Sequence, residues 1–284
     1  MAAHVLGFTH VDARGQEGIE LAYEEWLRGM PGSKRVIKDN LKRIVENVEG
    51  VTEPVPGKDL ALSIDRRLQY LAYRELKATV QGSGAKAGSV VMLDVGTGEI
   101  LAMANYPSFN SNNRVKLRGE AYRNRAVTDV FEPGSTIKPF TIAAALEMGK
   151  YRPHTMIDTT PGFYKVGRHV VRDIHNYGVL DVSTVLQKSS NIGATKMALA
   201  MEPQQLWSIF SRVGLGSSTH SGFPGEMAGL LSSYKSWREI DRATLAYGYG
   251  VSVTPLQLAQ AYRVLADNGQ MKPVSFVRTD ATPV

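Results

Sequence analysis

Two apolar runs joined by a glycine turn constrain this chain's fold more than any other stretch of it. Ser89-Val90-Val91-Met92-Leu93-Asp94-Val95 is apolar almost throughout, as a central strand is, and Gly96-Thr97-Gly98 reverses it into Glu99-Ile100-Leu101-Ala102-Met103-Ala104. This predicts an antiparallel hairpin. Helical periodicity surrounds it. Leu68, Leu71, Ala72, Leu76 and Val80 follow a Ser63 or Asp65 cap, and Ile142, Ala143, Leu146 and Met148 run from Ser135 to Gly149. Thr254-Pro255-Leu256-Gln257 offers an N-cap threonine, a proline at the first helical position and a glutamine that reaches back, with Leu258, Ala261, Tyr262 and Leu265 as the expected buried face. The fold class expected is α+β, an antiparallel sheet flanked by helices.

The chain divides at about residue 57. Ahead of it, Gln16 to Arg28 reads as one amphipathic helix with Ile19, Ala22, Tyr23, Trp26 and Leu27 toward one side, closed by Gly29 and Pro31. Arg35-Val36-Ile37 and Ile44 to Val48 form a short ribbon, and Glu53-Pro54-Val55-Pro56-Gly57 is a linker. Asp59 to Ser63 is expected to be a strand. Residues 1–57 are therefore expected to be part of one domain and residues 58–284 another.

Composition removes several classes of function. There is no cysteine, so disulfides, thiolate zinc sites and thiol catalysis are excluded, and the six histidines form no ligand cluster; no metal or other cofactor is expected. A net charge of +6, spread along the chain, argues against a nucleic-acid partner. No apolar stretch approaches the roughly 18 to 20 residues that span a bilayer, and the first residues lack the regions of a signal peptide.

Chemistry concentrates at Glu132-Pro133-Gly134-Ser135-Thr136-Ile137-Lys138-Pro139. Residues three apart at a helix start share a face, so Lys138 can stand over the Ser135 hydroxyl and, with a lowered pKa, take its proton as it attacks a carbonyl. A plain helix start shows the same tetrad. Pro139 is expected to distort the first turn, because it cannot donate to the Ser135 carbonyl. A second polar cluster, Gln187-Lys188-Ser189-Ser190-Asn191, lies between two amphipathic segments, Val182 to Leu186 and Ile192 to Ala200. Ser189 and Asn191 read there either as helix caps or as a proton relay and an amide donor facing a cleft.

Ser135 and Lys138 as Ser-x-x-Lys, with Ser189 and Asn191 as Ser-x-Asn, resemble two of the three signature elements of the penicillin-binding proteins. Further stretches, among them Gly7-Phe8-Thr9, Leu60 to Asp65, Asp129 to Pro139 and Tyr247-Gly248-Tyr249-Gly250 to Leu258, resemble the class B members, and within these the division-type septal peptidoglycan D,D-transpeptidases of the penicillin-binding protein 3 group. The resemblance implies the penicillin-binding and serine β-lactamase-like fold, with residues 1–57 as the end of a pedestal of dimerisation type. It implies a D-Ala-D-Ala transpeptidase acting through a serine acyl-enzyme: Ser135 the nucleophile, Lys138 its base, Ser189 the relay and Asn191 the group that binds the substrate amide. Peptidoglycan stem peptides and β-lactams would be its ligands, a septal glycosyltransferase and other division proteins its partners. The parent protein would be anchored in the bacterial inner membrane with its catalytic domain in the periplasm.

The third element, Lys-Thr-Gly or Lys-Ser-Gly, is missing. Lys165-Val166-Gly167 lies between the first two elements, where the family does not place the third, and reads as a strand or loop. The family's third element follows the helix that begins near Thr254, so the sequence is expected to be a soluble fragment lacking the last strands and helix, and inactive by itself. Three alternatives share the serine: a β-lactamase or D,D-carboxypeptidase, which needs a deacylating base not identified here; a β-lactam sensor; and an inactive structural fragment.

Overall fold

The structure is a computed structural model and describes residues 1–113 and 120–279. It begins with α1 (Ala3–Leu6), the strand pair β1 (Phe8–Thr9) and β2 (Gly15–Glu17), then α2 (Gly18–Ala22) and α3 (Glu24–Leu27). The single helix expected over residues 16–28 is thus a strand followed by two short helices, broken at Tyr23. Gly18 explains the late start. It sits at φ 64°, and a β-carbon there would lie 2.6 Å from the Val5 carbonyl, so the backbone crosses α1 closely before it can coil. Trp26 turns outward, its Nε1 donating to the Asp59 carbonyl at 3.0 Å with Lys58 over its ring. The ribbon forms as expected, β3 (Ser33–Lys38) antiparallel to β4 (Ile44–Thr52).

Asp65 caps α4 (Arg66–Ser83) by accepting from the Arg67 and Leu68 amides, an arrangement worth about 1 kcal/mol. The face α4 buries carries Gln69, Ala72, Leu76 and Val80, while Leu71 is exposed. Gln69 is inside because its amide exchanges two hydrogen bonds with the Met103 backbone. That backbone belongs to the expected hairpin, β5 (Gly88–Leu93) antiparallel to β6 (Ile100–Tyr106). The burial is the reverse of the sequence reading. β6 is the buried strand and the apolar β5 is half-exposed on the outside. Nor is residues 59–63 a strand: Leu62 makes an isolated bridge to Val277, and Ser63 donates to the Phe276 and Ile100 carbonyls through its amide and hydroxyl.

After α5 (Arg125–Thr128), a 3-10 turn over Gly134–Ile137 leads into α6 (Lys138–Glu147). Next come β7 (Met156–Asp158), the hairpin of β8 (Phe163–Val166) with β9 (His169–Arg172), and β10 (Val179–Asp181), which pairs with β7. The helices α7 (Val182–Lys188), α8 (Asn191–Leu199), α9 (Pro203–Arg212), α10 (Glu239–Leu245) and α11 (Pro255–Ala266) complete the described chain. α6 runs through the largest core. Phe140 and Ala145 are fully buried there against Val185, Ala194, Met197, Leu206 and Phe210. α7 and α8 touch through Gly193, where a β-carbon would meet Val185 at 2.6 Å.

On α11 the capping box forms as expected, Thr254 and Gln257 exchanging side-chain and backbone bonds. The buried face is shifted, however. Tyr262 and Leu265 are exposed, whereas Gln257, Gln260 and Arg263 are buried. These polar side chains have partners: Gln257 donates to the Ser217 and Ala228 carbonyls, and Arg263 to those of Val95 and Lys272. Among the described residues no helix is long and apolar enough to cross a membrane.

Candidate active site

The turn that carries Ser135 is held from four sides. Phe131 and Val253 exchange backbone bonds, the Glu132 carboxylate accepts from the Gly250 amide at 2.8 Å, the Gly134 amide donates to the Gly248 carbonyl at 3.1 Å, and the Tyr262 hydroxyl donates to the Thr136 carbonyl at 2.7 Å. The segment is 3-10 rather than α, which is the form the Pro139 distortion takes. In a 3-10 helix residues i and i+3 eclipse one another. Lys138 therefore lies directly over Ser135, with Nζ 3.1 Å from its Oγ. The first amides of the turn, Ser135's among them, have no intrahelical partner and point toward its open end.

The second pair of residues approaches from the α7–α8 junction. Ser189 ends α7 in the left-handed conformation, φ 55° and ψ 42°, unusual for a residue with a β-carbon. The reversal turns its hydroxyl and its carbonyl toward Lys138, whose Nζ donates to Ser189 Oγ at 2.9 Å, to the Ser189 carbonyl, and to Asn191 Oδ1 at 2.7 Å. Asn191 is oriented by the bond from its Nδ2 to the Arg172 carbonyl. All four residues singled out in the sequence, Ser135, Lys138, Ser189 and Asn191, meet around one amine. Lys165 is on β8, a strand, one of the two forms the sequence reading allowed.

Lys138 is 1 % exposed, whereas Ser135 and Ser189 face solvent. Burial disfavours the ammonium form and brings the Lys138 pKa down to about 8; the charge of Asp173 opposes that effect. The free amine is therefore far more accessible near neutral pH than for an ordinary lysine, and it stands beside the Ser135 hydroxyl. A groove of about 640 Å³ lies alongside, between β5, Phe131 and α11; Thr136 lines it, but none of the four site residues does. Ser135 and Ser189 stand on the open surface next to that groove, with Lys138 buried beneath them.

Asp173 was not legible in the sequence. Its Oδ2 accepts from Ser190 Oγ at 2.5 Å and its Oδ1 from the amides of Asn191 and Ile192. A lone aspartate in that stretch carries no signal of this kind, because the contact depends on how β9 is placed against α8. The clasp of Glu132 on Gly250 was equally hidden, the two residues being far apart in the chain.

The sequence matches two family models in order, the penicillin-binding protein dimerisation domain over residues 2–62 and the penicillin-binding protein transpeptidase domain over residues 88–283. This chain belongs to the penicillin-binding protein transpeptidase family. Within it the chain is of the division-associated FtsI/PenA type: it is 46% identical over 280 residues to the peptidoglycan D,D-transpeptidase FtsI of Escherichia coli K12, and 46% identical over 283 residues to the probable peptidoglycan D,D-transpeptidase PenA of Neisseria meningitidis serogroup A. These alignments cover 99% of this chain but 47% and 48% of the two relatives, so the chain spans about half the length of the curated relatives it matches. A crystal structure of a peptidoglycan glycosyltransferase from Burkholderia ambifaria superposes with a TM-score of 0.72 at 46% identity, covering 78% of this chain and 66% of that one. The apo transpeptidase domain of Burkholderia pseudomallei penicillin-binding protein 3 gives 0.71 at 44%, covering 78% and 63%. The fold is thus the mixed α and β penicillin-binding transpeptidase fold with a dimerisation-type domain at its N-terminal side.

Proposed function

We propose that this protein is a D-Ala-D-Ala transpeptidase that cross-links peptidoglycan stem peptides at the division septum through an acyl-enzyme on Ser135. The observation that carries this reading is the placement of a buried amine with a pKa of about 8 within 3.1 Å of Ser135 Oγ and 2.9 Å of Ser189 Oγ. Neutral Lys138 takes the Ser135 proton as Oγ attacks the penultimate D-Ala carbonyl. The oxyanion forms at the open end of the 3-10 turn, where the Ser135 amide is a donor. Collapse of the tetrahedral adduct breaks the peptide bond, and the terminal D-Ala leaves with the proton passed from Lys138 through Ser189. The amine of a neighbouring stem then attacks the ester, regenerating the Ser135 hydroxyl, and Asn191 holds the bound peptide amide. A β-lactam presents the same carbonyl in a strained ring whose leaving nitrogen stays attached, so it acylates Ser135 and blocks the second half-reaction.

The division into a pedestal segment, residues 1–57, and a transpeptidase domain, residues 58–284, belongs to the same proposal, supported by two family models that match in that order. So do a septal glycosyltransferase and other division proteins as partners, and a parent anchored in the inner membrane with this domain in the periplasm, which kinship with the FtsI and PenA proteins supports. The test is incubation of the parent protein, extended through a Lys-Thr-Gly or Lys-Ser-Gly element, with a fluorescent penicillin followed by peptide mass spectrometry; residues 1–284 alone are expected not to acylate efficiently. One stable acyl adduct on Ser135, lost in Ser135→Ala with the fold intact, is expected. Steady turnover of the penicillin would instead make the protein a β-lactamase, and an adduct elsewhere would remove Ser135 from the reaction.

A further inference from the structure

Asp173 follows β9 and binds the start of α8, beside Ser189 and Asn191. Its two oxygens take three donors from consecutive residues, the Ser190 hydroxyl at 2.5 Å and the Asn191 and Ile192 amides at 2.5 and 3.0 Å. The two amides begin α8, a nine-residue helix, where the peptide dipoles favour a negative charge. Ser190 Oγ accepts in turn from the Gly193 amide, so the whole first turn of α8 is tied to one carboxylate.

This anchoring has a mechanical consequence. Ser189 precedes the clamped residues in a left-handed conformation that a residue with a β-carbon resists. Behind it the Ser189 and Ser190 amides bond back to the Leu186 and Val185 carbonyls of α7; ahead of it Asp173 fixes the chain. Held from both ends, Ser189 keeps its carbonyl and hydroxyl aimed at Lys138.

The carboxylate also acts through its charge. Packed against α6 are the 3-10 turn, α7, α8, α9 and, through Tyr262 on Phe140, α11, which bring Lys188, Lys196, Arg212 and Tyr262; Glu132 precedes the turn, and Tyr247 and Tyr249 lie in the loop behind it. Asp173 is the charged group whose field acts on the Lys138 amine, and it favours the ammonium form.

We propose that Asp173 is a positioning residue of this site, which locks the turn presenting Ser189 and Asn191 and supplies the negative charge that balances Lys138. The proposal rests on the transpeptidase reading for its meaning, but its test does not need turnover. The Cε and Hε resonances of Lys138, assigned with Lys138→Arg, are titrated by NMR in wild type and in Asp173→Asn, with circular dichroism reporting the fold. The wild-type midpoint is expected at about 8. In Asp173→Asn, which keeps an acceptor but loses the charge, it is expected to fall by at least about half a unit. Ser190→Ala breaks one bond to the carboxylate and keeps its charge, so its midpoint stays at the wild-type value while labelling of Ser135 by fluorescent penicillin slows.

A merely structural aspartate would change the labelling rate and leave the midpoint in place, and an unshifted or raised midpoint in Asp173→Asn overturns the proposal. If Asp173→Asn does not fold, Asp173→Ser, smaller and still an acceptor, takes its place; failure of both to fold would make the residue a structural clamp only and also overturns it. A parent protein, extended through a Lys-Thr-Gly or Lys-Ser-Gly element, that never labels would defeat the transpeptidase reading while leaving the titration comparison intact. Normal labelling with an unshifted midpoint would defeat this proposal alone.

Discussion

Lys138 concentrates the site's chemistry and its cost in one side chain. Folding lowers its pKa from 10.5 to about 8, so the unfolded chain binds more protons than the native one between those values. Stability therefore rises as pH climbs from about 8 toward 10.5, and the burden of the buried ammonium is complete below 8. On the proposed role of Lys138, acylation runs along the same axis, because only the free amine can take the Ser135 proton. The acylation rate of the parent protein, extended through a Lys-Thr-Gly or Lys-Ser-Gly element, is expected to rise with pH and level off above about 8, with the slope of a single deprotonation, measured by stopped-flow quenching with a fluorescent penicillin. Lys138→Met removes the base and is expected to cost about 10² to 10⁴ in that rate. It also removes the buried charge, so its thermal midpoint is expected to equal or exceed that of wild type at pH 7. A Lys138→Met variant that labels at the wild-type rate would show that another group is the base.

Among the elements, the 3-10 turn and the loop at Gly248 behave as one unit. Gly248 sits at φ 89°, and a β-carbon there would fall 2.0 Å from the Gly134 carbonyl, directly behind Ser135. Gly149, at φ 77° after α6, has nothing within 4 Å of the same position. The two glycines thus separate backbone strain from collision. Gly149→Ala is expected to cost about 1 kcal/mol and leave acylation unchanged. Gly248→Ala is expected to cost about 2–4 kcal/mol and slow acylation at least about tenfold, because the turn must move. Equal effects in urea unfolding and in labelling would mean that the loop does not position Ser135. The contrast also marks what the sequence could tell. Local pattern predicts the Ser135 and Lys138 pair, the α7–α8 junction, the caps at Asp65 and Thr254 and the 89–104 hairpin, since each is encoded within a few residues. Gln69, Gln257 and Arg263 defeated the binary pattern, being buried polar groups whose partners are distant backbone carbonyls and amides. The outer place of β5 was equally invisible, because an apolar strand reads the same whichever side of it is covered.

At the scale of the whole molecule, the segment before residue 57 shares a core with the rest. Val5 and Ile19 pack in one buried cluster with Ile100, Met103, Val127, Leu256 and Phe276. A polar chain runs beside it: the Ser89 hydroxyl and the Ala126 amide donate to Asn105 Oδ1, Asn105 Nδ2 donates to Asn124 Oδ1, and Asn124 Nδ2 reaches the His4 carbonyl. His4 ends that chain with its ring 4 % exposed, edge-on to Phe109, and Nε2 bonded to the Ala121 carbonyl at 3.0 Å. Burial holds its pKa below the usual 6.5, and the neighbouring Arg125 charge pushes the same way, against the raising effect of the Ala121 bond. Below pH 6.5 the unfolded chain therefore takes up a proton that native His4 refuses, and stability falls as pH drops through that window. Because His4 belongs to the shared core, the loss is expected in the global unfolding transition and not as separate melting of residues 1–57. His4→Gln, which keeps a donor for the Ala121 carbonyl and cannot titrate, is expected to lower stability at pH 7.5 but to lose less between pH 7.5 and 5.5 than wild type does. Urea midpoints of both proteins at the two pH values provide the measurement. Parallel losses in the two would place the acid sensitivity elsewhere, and a second transition confined to the first 57 residues would show that the shared core does not couple them.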